Sequence, residues 1–247
     1  MIKLNKYIIA DFDHTLTEKD STSSWGVLET LNTLNKEAKN KLKDNKNYYL
    51  PLENNLNINE NKRKKLMKEW ADNNLKILKY SNITRKDINK ASYKKNAMKI
   101  RKGVKELLKY TYINNIPVII VSAGIKEIIE NFLKANNCLY DNINIVSNKI
   151  KYKNNIFIGF KNKTIYSSDK HKIKYSHIIK KTLKGKGVLL GDNISDTLMN
   201  PNNKQNILKI GFLNNYTENK ELFKNAFDIV YEDKVSFKEI INIIKKL

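Results

Sequence analysis

Six short apolar runs punctuate the chain: Tyr7–Phe12, Pro117–Val121, Ile143–Val146, Gly187–Leu190, Ile207–Ile210 and Phe227–Tyr231. Each is rich in Ile and Val and nearly free of polar interruption, the pattern of a strand covered on both faces. From the second run onward they alternate with stripes at helical spacing. Ile125, Ile128, Ile129, Phe132 and Leu133 form one stripe, and Phe237, Ile240, Ile241 and Ile244 form another. This alternation predicts an α/β fold: a doubly wound, mainly parallel, Rossmann-like sheet.

The interval between the first two runs breaks the rhythm. It reads as almost entirely helical, with one stripe through Val27, Leu28, Leu31, Leu34 and Ala38 and a second through Leu66, Met67, Trp70 and Leu78. Thr84 is placed to N-cap a further helix. The expected organisation is a catalytic core of residues 1–23 and 100–247, with a helical subdomain of residues 24–99 inserted after the first strand. Lysine and asparagine clusters around positions 35–47 suggest exposed loops, and alternating segments between Lys149 and Tyr166 suggest a small hairpin.

Composition narrows the class. A chain of 247 residues with 40% hydrophobic positions can bury one sizeable core and a smaller subdomain. No stretch approaches the ~18–20 consecutive apolar residues of a membrane helix. The N-terminus enters a strand pattern almost at once, so no signal peptide is expected. The single cysteine, Cys138, reads as a small buried thiol, and the expected compartment is the cytoplasm. The net charge of +22 is spread along the whole chain, so nucleic acid is not the expected partner. The densest run, Lys62-Arg63-Lys64-Lys65, lies within a helical pattern and reads as a solvated face.

Polar clusters interrupt this apolar plan at or just beyond the strand ends, where open α/β sheets bind ligands. They are Asp11-Phe12-Asp13-His14-Thr15, Ser122-Ala123-Gly124, Asp169-Lys170-His171 opening a later helix, and Gly191-Asp192-Asn193-Ile194-Ser195-Asp196. Asp11, Asp13 and Asp192 together offer oxygen donors that suit Mg²⁺. Neutralised in that way, Asp11 can attack phosphorus, and Asp13 can serve as acid and then base. Ser122 and the backbone N–H after it can bond phosphate oxygens. Lys170 supplies positive charge for the phosphate and the carboxylates. Asp196, four residues after Asp192, is expected with Thr15 to orient its neighbours rather than bind metal. Each cluster is weak in isolation; their order along the chain carries the reading.

Asp11-Phe12-Asp13-His14-Thr15-Leu16-Thr17, Ser122, Lys170 and Gly191-Asp192-x-x-x-Asp196 resemble the four motifs of the haloacid dehalogenase-like hydrolases. Tyr48-Tyr49-Leu50-Pro51-Leu52-Glu53, Glu69-Trp70, Ile116 through Ile125, Gly159-Phe160-Lys161, Val188 through Asp192 and Gln205 through Asn214 are similar to one branch, the cytosolic pyrimidine (type III) 5′-nucleotidases. The resemblance implies a phosphatase with Asp11 as nucleophile and Asp13 as acid/base. It implies Mg²⁺ on Asp11, the Asp13 carbonyl and Asp192, and phosphate on Ser122, Ala123 and Lys170. It also implies that the insert is a cap whose Glu53 bonds the base edge. Two positions depart from the branch: Ala71 stands where a second aromatic is frequent, and Asn74 where Ser or Ala is frequent. Both touch base preference rather than phosphate chemistry.

The resulting expectation is a monomeric, Mg²⁺-dependent nucleotidase acting on the small molecules CMP and UMP, with no membrane partner. Alternatives are 7-methylguanosine monophosphate as substrate, phosphate transfer to a nucleoside, a small-metabolite phosphatase acting for example on phosphoserine, and a non-catalytic RNA-binding protein. His14 is expected to occupy a position where its side chain matters little. His171 and His177 read as surface or packing residues.

Overall fold

Why the apolar runs become a sheet is visible in how their residues divide. In the computed structural model, β1 (Lys6–Ala10) sends Tyr7 and Ile9 to one core cluster and Ile8 and Ala10 to the other. Period-two alternation thus delivers apolar side chains to both faces, and both faces are covered. The structure describes residues 5–53, 55, 57–161, 164–167, 170, 175–200, 207–214, 220–232 and 235–247.

Among the described residues, β1 pairs in parallel with β2 (Val118–Ile125) on one side and β6 (Lys186–Gly191) on the other. Beyond β2 lies β3 (Ile143–Asn148), and beyond β6 lie β7 (Ile207–Phe212) and β8 (Ile229–Tyr231), all parallel. The order β3-β2-β1-β6-β7-β8 puts the chain reversal at the central strand, so the crevice at the carboxyl end of β1 is the expected ligand site. Helices α5 (Val104–Ile113), α6 (Lys126–Ala135) and α9 (Phe237–Lys246) bury apolar stripes in one cluster. Helices α7 (His177–Thr182) and α8 (Lys220–Ala226) contribute Ile179 and Phe223 to the other. The predicted hairpin is present as antiparallel β4 (Ile150–Lys153) and β5 (Ile156–Phe160).

Between β1 and β2 run α1 (Ser24–Glu29), α2 (Lys36–Glu53), α3 (Glu60–Tyr80) and α4 (Arg85–Ser92). Thr84 caps α4 in a reciprocal capping box with Asp87, as predicted. Two expectations fail here. The stripe from Val27 to Ala38 is not one helix: α1 stops at Glu29, and Leu31 and Leu34 are buried by the turns that follow. Residues 36–47 are not loop but the first turns of α2, because Lys and Glu are good helix formers and Leu42 and Tyr49 give the helix a buried side against α3. Strand bounds also moved. The first run ends as strand at Ala10, Ser122-Ala123-Gly124 falls inside the irregular end of β2, and the last strand keeps only Ile229–Tyr231.

No helix among the described residues is long and apolar enough to cross a membrane. Cys138 is buried as predicted, and burial pushes its thiol up to about 11. Asp169, His171, Gln205, Asn206 and the His177 side chain lie outside what the structure describes.

Candidate active site

Asp11 leaves the sheet directly after β1, its N–H still bonded to Leu190 of β6 at 2.9 Å. The chain then turns sharply. His14 adopts a left-handed φ of 64°, its N–H donates to Thr17 Oγ1 at 2.7 Å, and its carbonyl accepts from Arg101 at 2.5 Å and Asn214 at 2.9 Å. A trans peptide opposes its N–H and C=O. With the His14 N–H turned to Thr17, the Asp13 carbonyl faces the other way. The His14 backbone thus holds the turn, while its ring reaches the Glu18 carbonyl at 3.4 Å.

Around this turn the predicted carboxylates converge. Lys170, 5% exposed, donates to Asp11 Oδ1 and, at 2.7 Å, to Asp196 Oδ1. Asp196 Oδ2 accepts the N–H groups of Asp192 at 3.0 Å and Asn193 at 2.9 Å. Asp196 thus closes the turn after β6, and Gly191 makes room for it: a Cβ there would lie 2.5 Å from Asp196 Cβ. Asp192 Oδ1 accepts from Thr15 at 3.0 Å, and its Oδ2 accepts from Asn214 at 3.2 Å. Oxygens of Asp11, Asp192 and Asp196 lie within 4.8 Å of one another.

Asp13 faces the insert. Its two oxygens accept from Ser24 N at 2.8 Å and Ser24 Oγ at 2.7 Å, at the start of α1. Gly124 fits beside this pair only because it has no side chain; a Cβ would collide with Ser24 Oγ and approach Asp13 Oδ2 and Ser122 Oγ to 2.9 Å each. Ser122 Oγ accepts the Gly124 N–H at 2.9 Å, which leaves its own proton to donate. Glu53, at the end of α2, accepts from Ser167 Oγ at 2.5 Å, and the Ser167 carbonyl accepts from Ser195 at 3.3 Å. The Glu53 carboxylate is therefore two bonds from the turn that carries Asp192. Nearby in the insert, the Trp70 and Tyr49 rings stack at 6.0 Å and 13°, and Asn74 bonds Asn45 at 2.9 Å, tying α3 to α2.

The electrostatics follow from burial and crowding. Burial raises Asp11 well above the usual carboxylate range; Asp196 and Asp192 push the same way, against Lys170. Burial likewise raises Asp13, opposed by the Ser24 bonds. Asp192 is pushed up to about 6 by burial and by Asp196. Burial alone would depress Lys170, but Asp11 and Asp196 outweigh it and hold the ammonium firmly charged. One ammonium against four carboxylates leaves a deficit of positive charge. A hard cation and a polar, oxygen-rich ligand suit such a site.

Asp11, Asp13, Thr15, Ser122, Lys170, Asp192 and Asp196 thus lie together at these strand ends, and Glu53 is tied to them through Ser167 and Ser195. Sequence reasoning missed Ser24, Arg101 and Asn214. Arg101 was one basic residue among many, although its burial beneath the turn and its place 4.7 Å over the Phe212 ring are unlike those of a surface cation. Lys170 is one residue of a predicted helix start that the structure places ahead of α7.

The family model for pyrimidine 5′-nucleotidase (UMPH-1) matches residues 9–247, which includes every one of these side chains. The chain belongs to the pyrimidine 5′-nucleotidase family. It is 33% identical to the human 7-methylguanosine phosphate-specific 5′-nucleotidase over 239 residues, covering 91% of this chain and 79% of that one. The chicken protein of the same name is 28% identical over 250 residues, covering 96% and 86%. In structure, the chain resembles cytosolic 5′-nucleotidase IIIB bound to cytidine, with a TM-score of 0.88 at 22% identity, covering 98% of this chain and 85% of that one. A substrate-bound phosphoserine phosphatase shares the fold at a TM-score of 0.61 and 17% identity, covering 98% and 99%. The nucleotidase fold is thus the haloacid dehalogenase-like phosphatase fold, and the enzyme is a 5′-nucleotidase.

Proposed function

We propose that this 5′-nucleotidase passes the 5′-phosphate of a nucleoside monophosphate first to Asp11 and then to water, with Asp13 moving the proton. The observation that carries the proposal is the buried Lys170 bridge between Asp11 and Asp196, with Asp192 and Asp13 crowded at the same strand ends. A fold has no structural need for four carboxylates there; a phosphoryl-transfer site does.

The donor chemistry fits Mg²⁺. Asp196 has both oxygens engaged by Lys170 and two backbone N–H groups, which leaves Asp11, Asp192 and the Asp13 carbonyl to hold the ion. When bound, it would neutralise these carboxylates and the incoming phosphate oxygens. Asp11 forms an O–P bond as the P–O5′ bond breaks, and Asp13 gives its proton to O5′, releasing the nucleoside. Burial favours the protonated acid that this step requires. Asp13 then takes a proton from water as the water oxygen attacks phosphorus. The bond to Asp11 breaks, and phosphate leaves. Ser122 Oγ, the Ala123 N–H and Lys170 hold the phosphate oxygens throughout.

In the same reading residues 24–99 form a cap over the core of residues 1–23 and 100–247, and Glu53 accepts hydrogen bonds from the base. Cytosine and 7-methylguanine both present an amino donor edge, and the methylated purine also carries positive charge that Glu53 and the Tyr49–Trp70 stack accommodate. The relatives named for 7-methylguanosine phosphate support that base alongside cytosine, so CMP and 7-methylguanosine monophosphate rank above UMP. A monomer suffices for this reading, since every residue it invokes belongs to one chain, and the cytosolic structural neighbour supports a cytoplasmic location.

The test is Mg²⁺-dependent phosphate release from CMP, UMP, AMP, GMP, 7-methylguanosine monophosphate and phosphoserine, with Asp11→Asn as control. Selective release from CMP and the methylated nucleotide, abolished in the control, is expected. Turnover retained by Asp11→Asn sinks the nucleophile, and release from AMP equal to that from CMP sinks the base assignment.

A further inference from the structure

We infer that Asn148 is a positioning residue that holds the two phosphate-binding segments of the active site in register. The inference rests on the reading that Ser122, Ala123 and Lys170 bind the phosphate. Those residues come from different places: Ser122 and Ala123 from the end of β2, and Lys170 from the segment after the β4–β5 hairpin. No bond of the central sheet joins them.

Asn148 does. It is 3% exposed at the end of β3, and its amide makes three bonds. Oδ1 accepts the Ile165 N–H at 2.7 Å, while Nδ2 donates to the Ile165 carbonyl at 3.0 Å and to the Ala123 carbonyl at 2.7 Å. The paired bonds to Ile165 imitate one rung of a β-ladder, and they anchor the chain five residues ahead of Lys170. The third bond reaches the phosphate loop. Swapping the amide's O and N would set donor against donor and acceptor against acceptor, so the network specifies one orientation.

The Ala123 carbonyl accepts a second bond, from Trp25 Nε1 of α1 at 3.1 Å. The same peptide's N–H, that of Gly124, is bound by Ser122 Oγ, and the Gly124 carbonyl accepts from Ser147 at 2.6 Å. Both ends of the Ala123–Gly124 peptide are therefore pinned, which holds the Ala123 backbone and the Ser122 hydroxyl in place before a phosphate arrives. Asn148 touches neither the carboxylates nor the reacting atoms. Its contribution is to keep two anion-binding elements at a fixed spacing, the kind of preorganisation on which oxyanion stabilisation depends.

The experiment compares the wild type with Asn148→Ala, Asn148→Asp and Trp25→Phe. It reads kcat and KM for the nucleotide, inhibition by inorganic phosphate, and inhibition by the product nucleoside. Asn148→Ala is expected to weaken phosphate inhibition by about tenfold or more, with nucleoside inhibition unchanged to within about twofold. Asn148→Asp loses more, because a carboxylate oxygen then faces two carbonyls. Trp25→Phe removes one of the two donors to Ala123 and loses less. Wild-type phosphate inhibition in a folded Asn148→Ala enzyme overturns the inference, as does an equal loss of nucleoside inhibition, which signals general damage. Should Asn148→Ala fail to fold, unchanged phosphate inhibition in Trp25→Phe overturns it. If the wild type neither releases nor is inhibited by phosphate, the phosphate-site reading itself has failed, and the inference falls with it.

Discussion

Replacing Lys170 by Met deletes one ammonium and keeps the length and apolar stem of the side chain, so it isolates the charge that holds the active site together. In the wild type that ammonium bonds Asp11 and Asp196, and the three side chains are 5%, 6% and 0% exposed. An exposed pair would be worth little. Here the loss leaves buried carboxylates uncompensated, which costs ~3–5 kcal/mol. At ~2–4 °C per kcal/mol for a chain of this size, Tm falls by ~10 °C in EDTA at pH 7.5.

The pH dependence gives the sharper check. Lys170 lowers the Asp11 pKa, so Lys170→Met raises it further above its unfolded value. A carboxyl group with a raised folded-state pKa destabilises the fold above its unfolded pKa, and the penalty fades as pH falls through the folded value. The gap between variant and wild type is therefore large at pH 7.5 and shrinks toward pH 5. Urea or thermal unfolding of both proteins at the two pH values measures it. A gap of equal size at both, or one below about 1 kcal/mol at pH 7.5, would refute the electrostatic account.

Three further outcomes follow from the same geometry. Ser24→Ala removes a bond that lowers the Asp13 pKa, so the alkaline limb of kcat/KM, where the general acid is lost, should move to higher pH; a limb that stays or moves down contradicts Asp13 as the acid. Mg²⁺ should raise the Tm of the EDTA-stripped protein more at pH 7.5 than at pH 5, because Asp192, pushed up to about 6, must be ionised to hold the ion; equal shifts at both would remove Asp192 from the metal set. Glu53→Ala should reduce turnover of CMP by ~10-fold or more while sparing a small aryl phosphate, and equal losses would remove Glu53 from base recognition.

Much of the site was legible from local patterns. Asp11, Asp13, Ser122 and Asp192 stand at strand ends, and a strand end in a doubly wound sheet has one address, the carboxyl edge. Lys170 follows from no periodicity; only its place among the family-like motifs singled it out, and the fold makes it the cation that Asp11 and Asp196 share. Where reading failed, local and tertiary signals conflicted. The stripe through Leu31 and Leu34 kept helical spacing, yet those residues are buried by turns. The Lys- and Asn-rich stretch at 36–47 looked like loop because nothing in sequence showed that α3 would cover Leu42 and Tyr49.

By itself, then, the order of apolar runs and stripes determined the α/β layering, the run of helices between β1 and β2 and the acidic strand ends, because each depends on contacts within a few turns or on the two-residue period of a strand. Tertiary structure alone decided which polar side chains serve the site from far away. Arg101 and Asn214 reach the His14 carbonyl from 87 and 200 residues along the chain, and Asn148 joins Ala123 to Ile165. An Arg or Asn has no periodic signature. What assigns it a role is the buried, unpaired group it meets once the chain has closed, and that partner exists only in the folded state.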